Sequence, residues 1–113
     1  MILSAGLGTR LRPLTLERAK PAIPVCGRPL IIRTLQTLSA QGISQFRLNL
    51  SWMPNSIERL FDDERAVNGE VSFSQEPQIL GTGGGLKANQ SFFEADTFLM
   101  VNGDILFDFH INQ

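Results

Sequence analysis

Gly6 and Gly8 stand one residue apart just after the apolar run Met1-Ile2-Leu3, and Thr9, Arg10 and Arg12 follow before Lys20, which sits between Ala19 and Pro21. Glycines let backbone N–H groups approach an anion with no Cβ in the way, and a concave run of such amides binds phosphate before any side chain acts. Residues 4–24, SAGLGTRLRPLTLERAKPAIP, therefore read as a phosphate cradle, and Arg10, Arg12, Arg18 and Lys20 all fall where a polyphosphate needs positive charge. Two familiar phosphate loops do not fit. A dinucleotide fingerprint needs a third glycine where Leu11 stands, and a Walker A loop needs Gly-Lys-Ser/Thr, which is absent.

Asp104 closes the apolar run 98–101 in the sequence VNGD. Gly-Asp after a strand is by itself most often a turn. Facing a polyphosphate site, however, such a carboxylate can hold Mg²⁺, a hard cation that takes a few protein oxygens and completes its shell with phosphates and water. Other chemistry-bearing side chains read as bland. Cys26 has no histidine or second cysteine near it and is expected to be a small packing residue. His110 has no spaced partner, and Trp52 with Met53 before Pro54 is expected to pack rather than to stack on a base.

These residues need elements to carry them. The run Met1-Ile2-Leu3 is a first strand. Pro29 suits a first helical turn, with Ile31, Leu35 and Leu38 at helical spacing after it and Gly42 as a stop. Phe46, Leu48 and Leu50 alternate with Arg47 and Asn49 as a half-buried strand. Pro54 opens a second helix with Ile57, Leu60 and Phe61 on one face. Asn68-Gly69 is a turn before an alternating strand through Val71 and Phe73 to Glu76, and ILGTGGGL then leads into a third helix through Phe93. Residues 98–101 are continuously apolar, as for a strand covered on both faces. Strands alternating with helices predict an α/β fold, a mostly parallel sheet with helices on its faces and right-handed crossovers. Ligands in such a sheet sit beyond the carboxyl ends of the strands, where the loop after Leu3, the loop after Glu76 and the turn at 102–104 all fall.

The ordered run GxGTRLxPLT, the Lys-Pro pair at 20–21, the LGTGGGL segment and the VNGD turn together resemble the sugar-1-phosphate nucleotidyltransferase family, and the likeness covers essentially all 113 residues. The wording is most similar to the branch holding mannose-1-phosphate guanylyltransferases and N-acetylmuramate-1-phosphate uridylyltransferases, with a slight preference for the former. The resemblance implies a three-layer, Rossmann-like nucleotidyltransferase fold, truncated so that residues 1–113 form its N-terminal, nucleotide-binding half. It implies a reaction in which a nucleoside triphosphate and a sugar 1-phosphate give an NDP-sugar and pyrophosphate, with Mg²⁺ as cofactor. Nucleotide contacts are then expected from Ala5, Gly6, Gly8, Thr9, Arg10, Lys20, Glu76, Gly81 and Thr82. Arg10 would grip the triphosphate and help expel pyrophosphate, Lys20 would bridge toward the phosphates under attack, and Asp104 would bind the metal. Together these three are the implied catalytic residues. A second metal-binding aspartate and most sugar contacts would lie beyond Gln113. Glu76 and the glycines at 81–85 resemble a base-reading segment. A carboxylate there accepts from guanine N1–H and N2–H or from uracil N3–H, so both bases stay open, and Thr82 is also placed to cap the next helix. Ala19 departs from the family, where proline is common, and should loosen the loop a little without removing Lys20.

Composition limits the alternatives. The chain is long enough for one small domain, and its 42% apolar content is ordinary for a globular one. A net charge of -1, with no polybasic block or acidic tail, gives no electrostatic case for nucleic acid or a membrane surface. No apolar stretch approaches the roughly 20 residues of a membrane helix, and one cysteine cannot form an internal disulfide, which points to a reduced, cytoplasmic setting. Both ends read as cut from a longer chain. A regulatory subunit that senses nucleotide sugars without catalysis would keep the fold but tolerate loss of Arg10, Lys20 and Asp104, all of which are present. A nicotinamide-dependent reductase is disfavoured by the missing third glycine.

Overall fold

The computed structural model describes residues 1–63, 65–93 and 97–111. The chain begins with β1 (Ile2–Leu3), and residues 4–23 then form an irregular loop containing 3₁₀ turns at Thr9–Leu11, Leu14–Leu16 and Lys20–Ala22. A two-residue hairpin follows, β2 (Pro24–Val25) against β3 (Arg28–Pro29). Next come α1 (Leu30–Ala40), β4 (Gln45–Leu50), α2 (Asn55–Glu58), β5 (Glu70–Gln75), α3 (Gly81–Ala88) and β6 (Val101–Asn102). Apart from the hairpin, the strands form one parallel sheet in the order β5-β4-β1-β6. The α/β architecture expected from the sequence is therefore present. Right-handed crossovers in this order put α1 and α2 on one face and α3 on the other.

The period of two along β4 decides which face is the core. Phe46, Leu48 and Leu50 are buried in one cluster with Ile31, Leu35 and Leu38 of α1 and Ile57 of α2. Each such side chain contributes about 1.5–3 kcal/mol on burial, so this face carries most of the apolar stabilisation. The opposite face is not the solvated surface that a half-buried strand implies. Asn49 is only 3% exposed there, and Arg47 donates through Nε to Asn89 Oδ1 at 2.8 Å while lying over the Phe92 ring. Helix α3 covers this polar face, with Gly85 against Asn49 and the C-cap Asn89 bonded to Arg47.

Five local expectations are corrected. Pro29 stands one residue ahead of the first helical turn, as its N-cap, and before it Cys26 and Gly27 form the hairpin turn, with φ of 50° and 74°. A two-residue hairpin whose central residues both have positive φ matches the strand twist, and its tip leaves Cys26 exposed rather than packed. The second helix is shorter than its pattern, passing at Arg59–Phe61 into a 3₁₀ turn, and α3 ends at Ala88 before another such turn, Gln90–Phe92. The strand expected over 98–101 is reduced to Val101–Asn102, with Phe98 and Met100 45% and 43% exposed. Among the described residues β6 is a sheet edge, paired only with β1, so its flank is not covered. No helix of the described residues is long and apolar enough to cross a membrane.

Candidate functional site

The carboxyl ends of β1, β4, β5 and β6 open onto a cleft of about 540 Å³. Ala5, Gly6, Gly8, Thr9, Arg10, Lys20, Glu76, Gly81, Thr82 and Asp104 all line it, so every residue singled out for a nucleotide or metal contact is brought to one place. Arg12 and Arg18 are exposed elsewhere on the loop. Ser4, Asn49, Ile79 and Asn102 also line the cleft, although no nucleotide or metal contact was expected of them; of the four, only Asn49 lies outside the quoted motifs.

The loop is held by short polar braces. Gly8 lies at φ 62°, and a Cβ there would meet Thr15 Cγ2 at 2.8 Å, so any other residue is both strained and crowded. Thr15 Oγ1 donates to Gly8 O at 2.9 Å, and the Trp52 indole N–H donates to Thr15 O at 2.8 Å. Trp52 is thus a brace and not a stacking platform, as its sequence context suggested. The Ala19 N–H donates to Ser56 Oγ at 2.9 Å, which anchors the turn that presents Lys20.

At one end of the cleft Lys20 Nζ donates to Asp104 Oδ2 in an ion pair, with each side chain about 30% exposed (29% and 30%). Gly103 permits this approach. Its N–H donates to Leu3 O at 2.9 Å, and a Cβ at that position would sit 2.6 Å from Ser4 Oγ. That Ser4 hydroxyl is buried and has no partner among the described residues. Arg10 is exposed and makes no ion pair or side-chain hydrogen bond among the described residues, leaving its guanidinium available to an anion.

At the other end Glu76 is 3% exposed. Its Oε1 accepts from Asn49 Nδ2 at 2.9 Å and its Oε2 from the Leu80 N–H at 3.1 Å, while Asn49 Oδ1 accepts from the Ser4 N–H at 2.8 Å. Helix α3 begins at Gly81 with Leu80 as N-cap and no side-chain cap, so Thr82 does not cap it and faces the cleft instead. Gly81, at φ 71°, has no atom within 4 Å of a Cβ position, leaving room for a ligand against the backbone.

The donor set fits a hard divalent cation in part. No cluster of three or more acidic, histidine or cysteine ligands exists among the described residues, and Asp104 supplies one carboxylate. Mg²⁺ commonly uses one or two carboxylates and fills its remaining positions with phosphate oxygens and water, so a single aspartate beside a phosphate loop is compatible with it.

A family model described as nucleotidyl transferase matches residues 1–113. Among curated proteins, the mannose-1-phosphate guanylyltransferase of Mycobacterium tuberculosis is 38% identical over 106 residues, which is 94% of this chain and 30% of that protein. The UTP–glucose-1-phosphate uridylyltransferase of Synechocystis sp. is 38% identical over 119 residues, 96% of this chain and 31% of that one. Among solved structures, HddC from Yersinia pseudotuberculosis, also known complexed with GMP-PN, superimposes with a TM-score of 0.81 at 36% identity over 91% of this chain and 46% of its own. The UTP-bound UGPase of Acinetobacter baumannii gives 0.87 at 25% identity, over 99% and 47%. The chain thus spans about a third of the length of the curated relatives it matches.

Proposed function

Since the chain belongs to the nucleotidyl transferase family, we propose that it forms the nucleotide-binding part of a sugar-1-phosphate nucleotidyltransferase acting in the cytoplasm. The reaction is that of a nucleoside triphosphate with a sugar 1-phosphate, giving an NDP-sugar and pyrophosphate. One observation carries this reading: three stretches far apart in sequence, the glycine loop after β1, the Glu76–Gly81 segment after β5 and the Asp104 turn after β6, line a single cleft. Cationic groups, with the lone carboxylate of Asp104, lie at one end and the Glu76 carboxylate at the other, as a triphosphate at one end and a base at the other require.

A sugar phosphate oxygen attacks the α-phosphorus in line, and pyrophosphate leaves without a covalent enzyme intermediate. The residues act by positioning and by meeting charge as it develops. Amides at Gly6 and Gly8 cradle the phosphates, Arg10 grips the leaving pyrophosphate, and Lys20, packed beside Gly8, reaches the phosphates under attack. Asp104 would hold Mg²⁺, whose bound charge neutralises the phosphate oxygens. With that carboxylate on a metal, the Lys20 ammonium would be free to bond phosphate. The relatives include guanylyltransferases and a uridylyltransferase, and we favour guanine as the base. Isotope exchange tests the mechanism: labelled pyrophosphate enters GTP in the full-length protein only when the matching GDP-sugar is present. Exchange without any nucleotide sugar contradicts direct transfer and requires a nucleotidylated enzyme.

A further inference from the structure

Asn49 is an amide buried near the carboxyl end of β4, hydrogen-bonded at both ends, and no motif marks it. Its Oδ1 must face the Ser4 N–H, a donor that cannot accept, so its Nδ2 is directed at Glu76. Glu76 receives Asn49 on one oxygen and the Leu80 N–H on the other, which fixes the plane of its carboxylate. Helix α3 closes over the pair without a gap. A Cβ at Gly85 would lie 2.8 Å from Glu76 Oε1 and 3.0 Å from Asn49 Nδ2. Ser4, Asn49 and Glu76 all line the cleft, so this relay joins the start of the phosphate loop to the base end of the site.

The orientation has a chemical consequence. Each carboxylate oxygen of Glu76 has one lone pair engaged by the protein and keeps another. Two parallel acceptors match the Watson–Crick edge of guanine, where N1–H and N2–H are adjacent donors. Uracil offers a single N3–H between two carbonyl acceptors, which a carboxylate repels. We infer that Asn49 is a positioning residue that sets base choice through Glu76, favouring guanine over uracil, and this rests on the nucleotidyltransferase reading given above.

The test is Asn49→Asp in the full-length protein. This substitution keeps the size and the acceptor for Ser4 N–H but sets a second carboxylate against Glu76 Oε1. The ratio of kcat/KM for GTP over UTP is expected to fall about tenfold or more, because a buried polar group loses its partner, whereas a general loss of activity lowers both values alike and leaves the ratio unchanged. The double variant Asn49→Asp with Glu76→Gln restores a donor–acceptor pair between the two positions and an acceptor for Leu80 N–H. It is expected to recover Tm and to prefer UTP, since an amide at position 76 presents one donor and one acceptor to the base. A single variant with the wild-type GTP:UTP ratio overturns the inference. If the single variant does not fold, a double variant that folds with recovered Tm but an unchanged ratio overturns it equally. Failure of the underlying reading looks different: wild-type protein that releases pyrophosphate from no triphosphate overturns both.

Discussion

Replacing Arg10 with alanine lowers kcat for pyrophosphate release in the full-length protein by on the order of a hundredfold or more. Gly8 turns the chain at φ 62°, and the 3₁₀ turn Thr9–Leu11 that follows presents Arg10 at the cleft wall with no ion pair among the described residues. Its guanidinium is therefore free to form charge-assisted, forked hydrogen bonds to phosphate oxygens. These strengthen as negative charge gathers on the departing pyrophosphate, so the loss is expected in kcat more than in KM. Arg10→Lys keeps the charge but not the fork and should recover only part of the rate. Arg12→Ala and Arg18→Ala are the controls, since neither side chain lines the cleft, and each should change kcat by less than about threefold. A wild-type rate in Arg10→Ala, or equal losses in all three variants, contradicts the assignment.

A comparable loss, again on the order of a hundredfold or more in kcat, is expected for Asp104→Asn at saturating Mg²⁺. The change is nearly isosteric, so the turn that Gly103 packs against Leu3 and Ser4 is retained. What is lost is the only carboxylate at the phosphate end of the cleft among the described residues. The same substitution unpairs Lys20 from its partner. Without metal, triphosphate binding should then be equal to wild type or tighter, because the ammonium no longer has to leave a carboxylate. Equilibrium titration with and without metal separates the two effects. Unchanged kcat together with weakened metal-free binding would mean that Asp104 supports the loop and holds no metal.

Much of this site was legible from local order alone. Glycines at 6 and 8, the Thr-Arg pair, Lys20-Pro21 and the VNGD turn announce themselves in contiguous residues, and the alternation of strands with helices placed all of them beyond the carboxyl ends of one sheet. Asn49 was hidden for a physical reason. Its role depends on β4 lying between β1 and β5 and on α3 covering the polar face of that strand, and alternation by itself assigns such a face to water. Cys26 was misplaced because strands of two residues carry no period, so the hairpin that exposes it left only Gly27 as a clue. The run at 98–101 is apolar enough for a fully covered strand, yet coverage is a property of neighbours. With β6 at the sheet edge among the described residues, Phe98 and Met100 stay exposed. Thr82 followed a familiar capping pattern, but Leu80 took the cap position and left Thr82 to the cleft.

The most direct test is pyrophosphate release by the full-length protein with Mg²⁺, across GTP, UTP, dTTP, CTP and ATP, each with a panel of sugar 1-phosphates. The expected result is release that requires both a sugar 1-phosphate and a triphosphate, with GTP preferred. No release with any pair, in protein shown to bind a triphosphate, would contradict catalysis and leave a site that senses nucleotides without turning them over.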